Sequence, residues 1–228
     1  MTERRISAMT RVVLLVLGVL LAGACGGRSS DAVVVVAALG DSITAGSPGY
    51  DPDPEVRGRA SGAVNEKSQW EYWAQRRDRR LVFRNCGVPG ERTDEIALRL
   101  KDCARGADVL VVQGGVNDIA QLRSVDAAAR NLQAMVREGQ RLGLRVALAN
   151  VLPWNNGYTG ALPQIILLNA RIAAVARAEH VPLLPFYATL EDPSRPGQME
   201  PAWTSDGNHP SVAGYRRLGE LAFRVPSA

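Results

Sequence analysis

Ala32-Val33-Val34-Val35-Val36-Ala37-Ala38-Leu39-Gly40-Asp41-Ser42-Ile43 is the stretch whose reading decides the fold. From Ala32 to Leu39 every residue is apolar, and four consecutive valines supply β-branched side chains. A strand with one wet face alternates apolar and polar positions. A strand with no polar position at all is buried on both faces, as in a parallel sheet covered by helices on either side. The run breaks abruptly at Gly40-Asp41-Ser42. In open parallel sheets, ligands bind in the crevice beyond the carboxyl ends of the strands. The same segment therefore predicts a fold class and the edge of the sheet at which to look for chemistry.

Working outward, the sequence predicts further strands over Leu81–Arg84, Ala107–Gln113, Leu144–Asn150 and Val181–Leu184. Helical patterns separate them. Thr93 is placed to cap a helix whose first turn carries Asp94 and Glu95, with Ile96, Leu100 and Cys103 at helical spacing and Gly106 as a stop. Ser124 is placed to cap a second helix, with Leu132, Val136 and Leu142 facing inward and Gly143 ending it. A third spans Ile165–Ala178, and a fourth, Val212–Phe223, closes the chain. Strands alternating with helices imply a three-layer α/β/α sandwich around a mostly parallel five-stranded sheet, flavodoxin-like in strand arrangement. Residues Ser47–Val64, rich in Gly, Pro and charge, read as a long surface loop.

Four polar or glycine-rich segments follow these elements: Gly40-Asp41-Ser42-Ile43, Asn85-Cys86-Gly87-Val88-Pro89-Gly90, Gly114-Gly115-Val116-Asn117-Asp118 and, near the chain end, Asp206-Gly207-Asn208-His209-Pro210. On these blocks, taken in order, the chain resembles the SGNH (GDSL) hydrolase family. The first matches the family's Gly-Asp-Ser motif, with Ile43 where Leu is common. The second matches its glycine block at Gly87, the third its Gly-x-Asn-Asp block and the fourth its Asp-x-x-His block. The resemblance spans most of the chain after the leader. It implies ester hydrolysis without a cofactor, on a small-molecule, glycan or lipid ester that the motifs alone do not specify. It also implies a triad of Ser42, Asp206 and His209, and an oxyanion hole formed by the Ser42 N–H, the Gly87 N–H and the Asn117 side chain.

The residue chemistry points the same way. A serine hydroxyl is a poor nucleophile unless a base takes its proton. The chain has two histidines, His180 and His209. His180 precedes the weak fifth strand, at the edge opposite the expected site, which leaves His209 as the base. Asp206, three residues earlier, can hold the imidazole tautomer and stabilise the imidazolium. Asp41 and Asp118 read as loop organisers. The same triad could serve an acyltransferase, and a non-catalytic glycan-binding surface protein is the alternative from another class. No Gly-x-Ser-x-Gly elbow, His-Glu-x-x-His or Cys-x-x-Cys pattern occurs, so neither the nucleophile elbow nor a metal motif is indicated. Trp154 and Trp203, each beside an expected site loop, read equally well as cleft lining or as packing residues.

Charge and cysteines place the chain. Arg4, Arg5 and Arg11, the apolar run Val12–Leu21 and the small residues Ala22-Gly23-Ala24 read as a secretory signal peptide over residues 1–24. Cys25 then stands where a bacterial lipobox places its acylated cysteine, although Ala22 replaces the usual Leu and the same residues fit an ordinary Ala-x-Ala site. Residues 25–31 read as a tether, and residues 32–228 as one domain. The expectation is an exported, monomeric protein, secreted or held to the membrane through Cys25. Without the leader the chain carries 24 basic and 22 acidic residues, a balance that offers nothing to nucleic acid. In an exported chain Cys86 and Cys103 are candidates for a disulfide, with two buried thiols as the alternative. The run Arg76-Arg77-Asp78-Arg79-Arg80 reads as a solvated helix end, and Asp51, Asp53 and Glu55 as a solvated loop, not a calcium site.

Overall fold

The computed structural model describes residues 32–59 and 64–227. The signal peptide, Cys25 and the tether expected in residues 1–31 lie outside the described residues. In chain order the elements are β1 (Val34–Gly40), α1 (Ser42–Ala45), α2 (Pro54–Arg59), α3 (Trp70–Arg77), β2 (Leu81–Gly87), α4 (Thr93–Leu98), α5 (Leu100–Ala104), β3 (Val109–Val112), α6 (Val116–Ala120), α7 (Val125–Arg141), β4 (Arg145–Ala149), α8 (Ala161–Ala178), β5 (Leu183–Leu184), α9 (Phe186–Leu190), β6 (Glu191–Asp192), β7 (Arg195–Met199) and α10 (Val212–Arg217). A π-helical turn, Leu218–Ala222, follows α10.

Five strands form one parallel sheet in the order β2-β1-β3-β4-β5. This is the flavodoxin-like order, and its direction reverses between β1 and β3, where a crevice opens. The continuous apolar strands are explained by the two cores they serve. Ala37, Leu39, Leu110, Val112, Val146 and Leu148 point into one cluster, which also buries Ile96, Leu132 and Leu168 from the helices. Their neighbours Val36, Ala38, Val109, Val111, Ala147 and Ala149 point into the other, with Trp70, Phe186, Tyr215 and Phe223. Successive strand residues face opposite sides, so a strand covered on both faces has no polar position to give.

The boundaries differ from expectation where tertiary contacts override local preference. β2 continues past Arg84 to Gly87, because Asn85, Cys86 and Gly87 stay in register with Ala38, Leu39 and Gly40 of β1. β5 shrinks to two residues paired with Leu148 and Ala149. Thr93 does not cap α4. It is the first helical residue, and the preceding Arg92 donates its N–H to the Glu95 carboxylate. The Thr93 hydroxyl donates instead to Asp118. Ser124 does cap α7, its hydroxyl accepting from the Ala127 N–H. Leu142, expected inward, sits at the C-cap of α7 and is 41% exposed. The loop after Ser47 contains α2, with Pro54 at its first position, and β6 and β7 form an antiparallel pair that no alternation in the sequence indicates. The basic run is only partly solvated, since Arg77 donates to the Glu220 and Phe223 carbonyls and so fastens the chain end to α3.

Cys86, at the end of β2, is bonded to Cys103 on α5, 17 residues on, with Cα atoms 6.1 Å apart. Cross-linking a loop of this length restricts the unfolded chain. Replacing both cysteines by serine should therefore lower the unfolding free energy by about 3 kcal/mol. Denaturant unfolding of the two proteins under oxidising conditions measures this directly, and equal midpoints would refute it.

Candidate active site

The site grows out of the end of β1. Gly40 is followed at once by Asp41, which caps α1: its Oδ1 accepts from the Ile43 N–H at 2.9 Å. Ser42 is thus the first residue of a helix, where the backbone N–H has no partner in the preceding turn. Gln113, at the end of β3, holds this turn from the other side of the crevice. Its Oε1 accepts from the Asp41 N–H at 3.2 Å and from the Thr44 hydroxyl at 2.8 Å. Nothing larger than glycine fits at position 40, where a Cβ would stand 2.2 Å from Thr44 Oγ1.

The loop from Thr204 to Pro210 reaches the same edge. A backbone bridge between Thr204 and Pro210 closes it, and Gly207 makes the turn at φ 80°. Asp206 Oδ1 accepts from the N–H groups of Asn208 and His209 at 2.8 and 2.7 Å. Its Oδ2 lies 2.8 Å from His209 Nδ1, and His209 Nε2 lies 3.2 Å from Ser42 Oγ. Asp206, His209 and Ser42 therefore form one hydrogen-bonded chain. Desolvation pushes the Asp206 carboxyl up, but the hydrogen bonds from the His209 ring and from the two N–H groups outweigh it and hold the carboxyl below the usual range. Asp206 thus stays ionised, as an acid that must balance an imidazolium should.

The two expected oxyanion donors outside β1 fare differently. Asn117, in the first turn of α6, uses one amide hydrogen on the Glu91 carbonyl at 2.9 Å, which fixes the side chain and leaves the other hydrogen free. Gly87 is not placed to donate to a bound ligand. It is buried, its N–H is already given to Asn85 Oδ1 at 2.9 Å, and a Cβ on it would stand 2.0 Å from the Ala45 nitrogen. It is a packing glycine between β2 and α1. Gly90, three residues on, has the features that Gly87 lacks. It is exposed, adopts φ 83° with open space around it, and its N–H has no hydrogen-bond partner among the described residues. The recurrence of glycine within Asn85 to Gly90 was the signal, and only burial separates the two.

The other residues singled out take supporting places. Asp118 accepts from the Thr93 N–H and hydroxyl at 2.9 and 2.8 Å, tying α6 to α4, and burial raises its carboxyl. Trp154 donates its indole N–H to Asn208 Oδ1 at 2.7 Å, which braces the loop of His209. Trp203 packs against the second core cluster, with the Arg217 guanidinium 3.8 Å from its ring centroid. It is a packing residue. His180 lies exposed beyond the end of α8, away from these groups. Among the described residues no cluster of three or more His, Cys, Asp or Glu side chains is placed to hold a metal ion.

A parallel sheet that carries a serine, a histidine and an aspartate in one hydrogen-bonded chain at its carboxyl edge has the layout of a hydrolytic enzyme. The GDSL-like lipase/acylhydrolase family model matches residues 38–217, and the chain belongs to this family of ester hydrolases. Solved structures agree on the fold. A G-D-S-L-family lipolytic protein from Desulfitobacterium hafniense shares 21% identity over 82% of this chain and 96% of its own, with a TM-score of 0.68. A GDSL-like lipase from Bacteroides thetaiotaomicron shares 22% over 82% and 84%, with a TM-score of 0.63. An acylhydrolase from Bacteroides fragilis shares 22% over 86% of each chain, with a TM-score of 0.61. No curated protein matches the chain.

Asp41 carries a stability signature. Burial pushes its carboxyl up from 3.8 to about 6, against the Ile43 and Gln113 hydrogen bonds and the nearby His209, which lower it. The folded state therefore holds this proton more tightly than the unfolded chain. The contribution is fully present below pH 3.8 and lost as pH rises through about 6. In Asp41→Asn, which cannot ionise, unfolding free energy relative to wild type should rise by on the order of 2–3 kcal/mol between about pH 4 and pH 7. A difference that stays constant over this range would show that Asp41 does not titrate there.

Proposed function

We propose that the protein is an exported serine esterase that cleaves carboxylic esters through an acyl-enzyme on Ser42. The observation that carries this reading is the continuous chain from Asp206 Oδ2 through His209 to Ser42 Oγ, with contacts of 2.8 and 3.2 Å. Neutral His209 takes the Ser42 proton as Oγ attacks the ester carbonyl, and Asp206 stabilises the imidazolium that results. The imidazolium then gives its proton to the departing alcohol, leaving an ester between Ser42 and the acyl group. Water, deprotonated by His209, attacks that ester, and the acid leaves as Ser42 regains its proton.

The tetrahedral oxygen formed in each half-reaction needs donors that exist before the reaction starts. The Ser42 N–H, the Gly90 N–H and the second Asn117 amide hydrogen come from the ends of three neighbouring parallel elements and are the groups left free to serve. The leader read in residues 1–24, and a disulfide that persists only in an oxidising compartment, support export.

The test is hydrolysis of 4-nitrophenyl esters of graded acyl length. Ser42→Ala should lower kcat by several orders of magnitude, about 10³-fold or more. Asn117→Ala should lower kcat by about 10²–10³-fold with little change in KM. Activity in Ser42→Ala equal to wild type would overturn the nucleophile, and an unchanged kcat in Asn117→Ala would remove the amide from the oxyanion hole.

A further inference from the structure

One cation joins the loops that carry the free donors. Arg99 stands at the junction of α4 and α5, where it ends one helix and begins the next. Its guanidinium makes a forked pair with the Glu91 carboxylate, Nε at 2.9 Å and Nη2 at 2.5 Å from Oε2. The same group donates from Nη1 to the Cys86 carbonyl at 2.6 Å and from Nη2 to the Gly40 carbonyl at 3.1 Å. Each acceptor belongs to a different part of the site. Gly40 is the last residue of β1, two before Ser42. Cys86 lies at the end of β2 and is pinned to α5 by the disulfide. Glu91 follows Gly90, and its backbone carbonyl is the acceptor that orients the Asn117 amide.

β1 and β2 cease to pair at Gly40 and Gly87. Beyond that point the two segments are tied, among the described residues, by a bond from the Val88 N–H to the Gly40 carbonyl at 3.1 Å and by the Asn85 amide, which donates to the Thr44 carbonyl at 2.7 Å. The three donors thus lie past the paired part of the sheet, at the start of α1, in the β2–α4 loop and in the first turn of α6. Resting on the esterase reading above, we infer that Arg99 is a positioning residue for the oxyanion hole. Through Gly40, Cys86 and Glu91 it sets the spacing of the Ser42 and Gly90 N–H groups and the Asn117 amide. It touches none of the reacting atoms. The planar fork matters more than the charge, since four N–H groups in one rigid plane meet three acceptors, on the end of β1 and on β2 and its following loop, at fixed angles. A lysine keeps the charge and loses that geometry.

The experiment uses Arg99→Lys, Arg99→Met and Glu91→Gln in the full mature chain. It reads kcat and KM on a 4-nitrophenyl ester, the inhibition constant of phenylboronic acid, and the thermal midpoint. The boron takes a lone pair of Ser42 Oγ as its fourth bond while the hydroxyl proton passes to His209 Nε2, and the tetrahedral boronate anion that results reports, through its affinity, the donors aimed at a tetrahedral oxygen. The expected result for Arg99→Lys and Glu91→Gln is a kcat lowered by about 10- to 100-fold, KM nearly unchanged, and boronate affinity falling in parallel. Folded variants with wild-type kcat and boronate affinity, whatever their thermal midpoint, would overturn the inference and leave Arg99 a stability residue. A lower kcat with undiminished boronate affinity would overturn it too. If Arg99→Met does not fold, the other two variants decide. Ser42→Ala and Asn117→Ala in the same assay separate the readings: their activity failing to fall would remove the esterase mechanism itself, whereas losses there with intact Arg99 variants would remove only the role of Arg99.

Discussion

Parallel pairing of β1 on both sides is the constraint on which the rest of this molecule depends. Val36–Leu39 bonds to β2 along one edge and to β3 along the other, and both its faces are covered. A strand enclosed in this way can release its chain only at its ends. At Gly40 the chain has room for no side chain, and its carbonyl still accepts from Val88 and Arg99. The turn that follows is therefore held before any catalytic group is considered. Asp41 caps a helix of one turn, Gln113 braces it from β3, and Ser42 emerges with a free N–H beside its hydroxyl. The hydroxyl and the backbone N–H of Ser42 stand at one point of the site because the strand ends there.

The polar groups under this turn show a division of labour. Asp206 is held ionised by donors on both oxygens. Asp41 lies fully buried beneath Ser42 with Oδ2 unpartnered, and burial favours its proton. Glu71, on α3, is buried with both oxygens unpartnered, and its carboxyl is raised well above the ordinary range for the same reason. Negative charge is thus favoured on the aspartate bonded to the imidazole, and disfavoured on the buried carboxyls of Asp41 and Glu71. Environment, not residue type, makes that difference.

Much of this was legible in the sequence, for identifiable reasons. The two-sided apolar run of β1 can be only a central strand, and Ser42, Asn117, Asp206 and His209 stand in short loops whose spacing is local. What failed was what only packing decides. Gly87 and Gly90 look alike as letters, and one lies against Ala45 whereas the other opens to solvent. Thr93 has the chemistry of a cap but is drawn to Asp118 from another loop. Leu142 keeps helical spacing but falls at the C-cap of α7, where it is exposed. Arg99 carried no signal at all, since its acceptors at Gly40, Cys86 and Glu91 are gathered by the sheet and by a helix junction that no motif describes.

The hydrogen bond between His209 and Ser42 spans 167 residues of chain. Closing so long a loop has an entropic cost that the packing of the sheet offsets. Ser42 follows the first strand, and His209 stands in a loop after the seventh. A partly synthesised chain can contain the β1 turn and still lack the histidine that Ser42 bonds. The hydrogen-bonded chain of Asp206, His209 and Ser42 is therefore a property of the whole sheet and not of either segment alone.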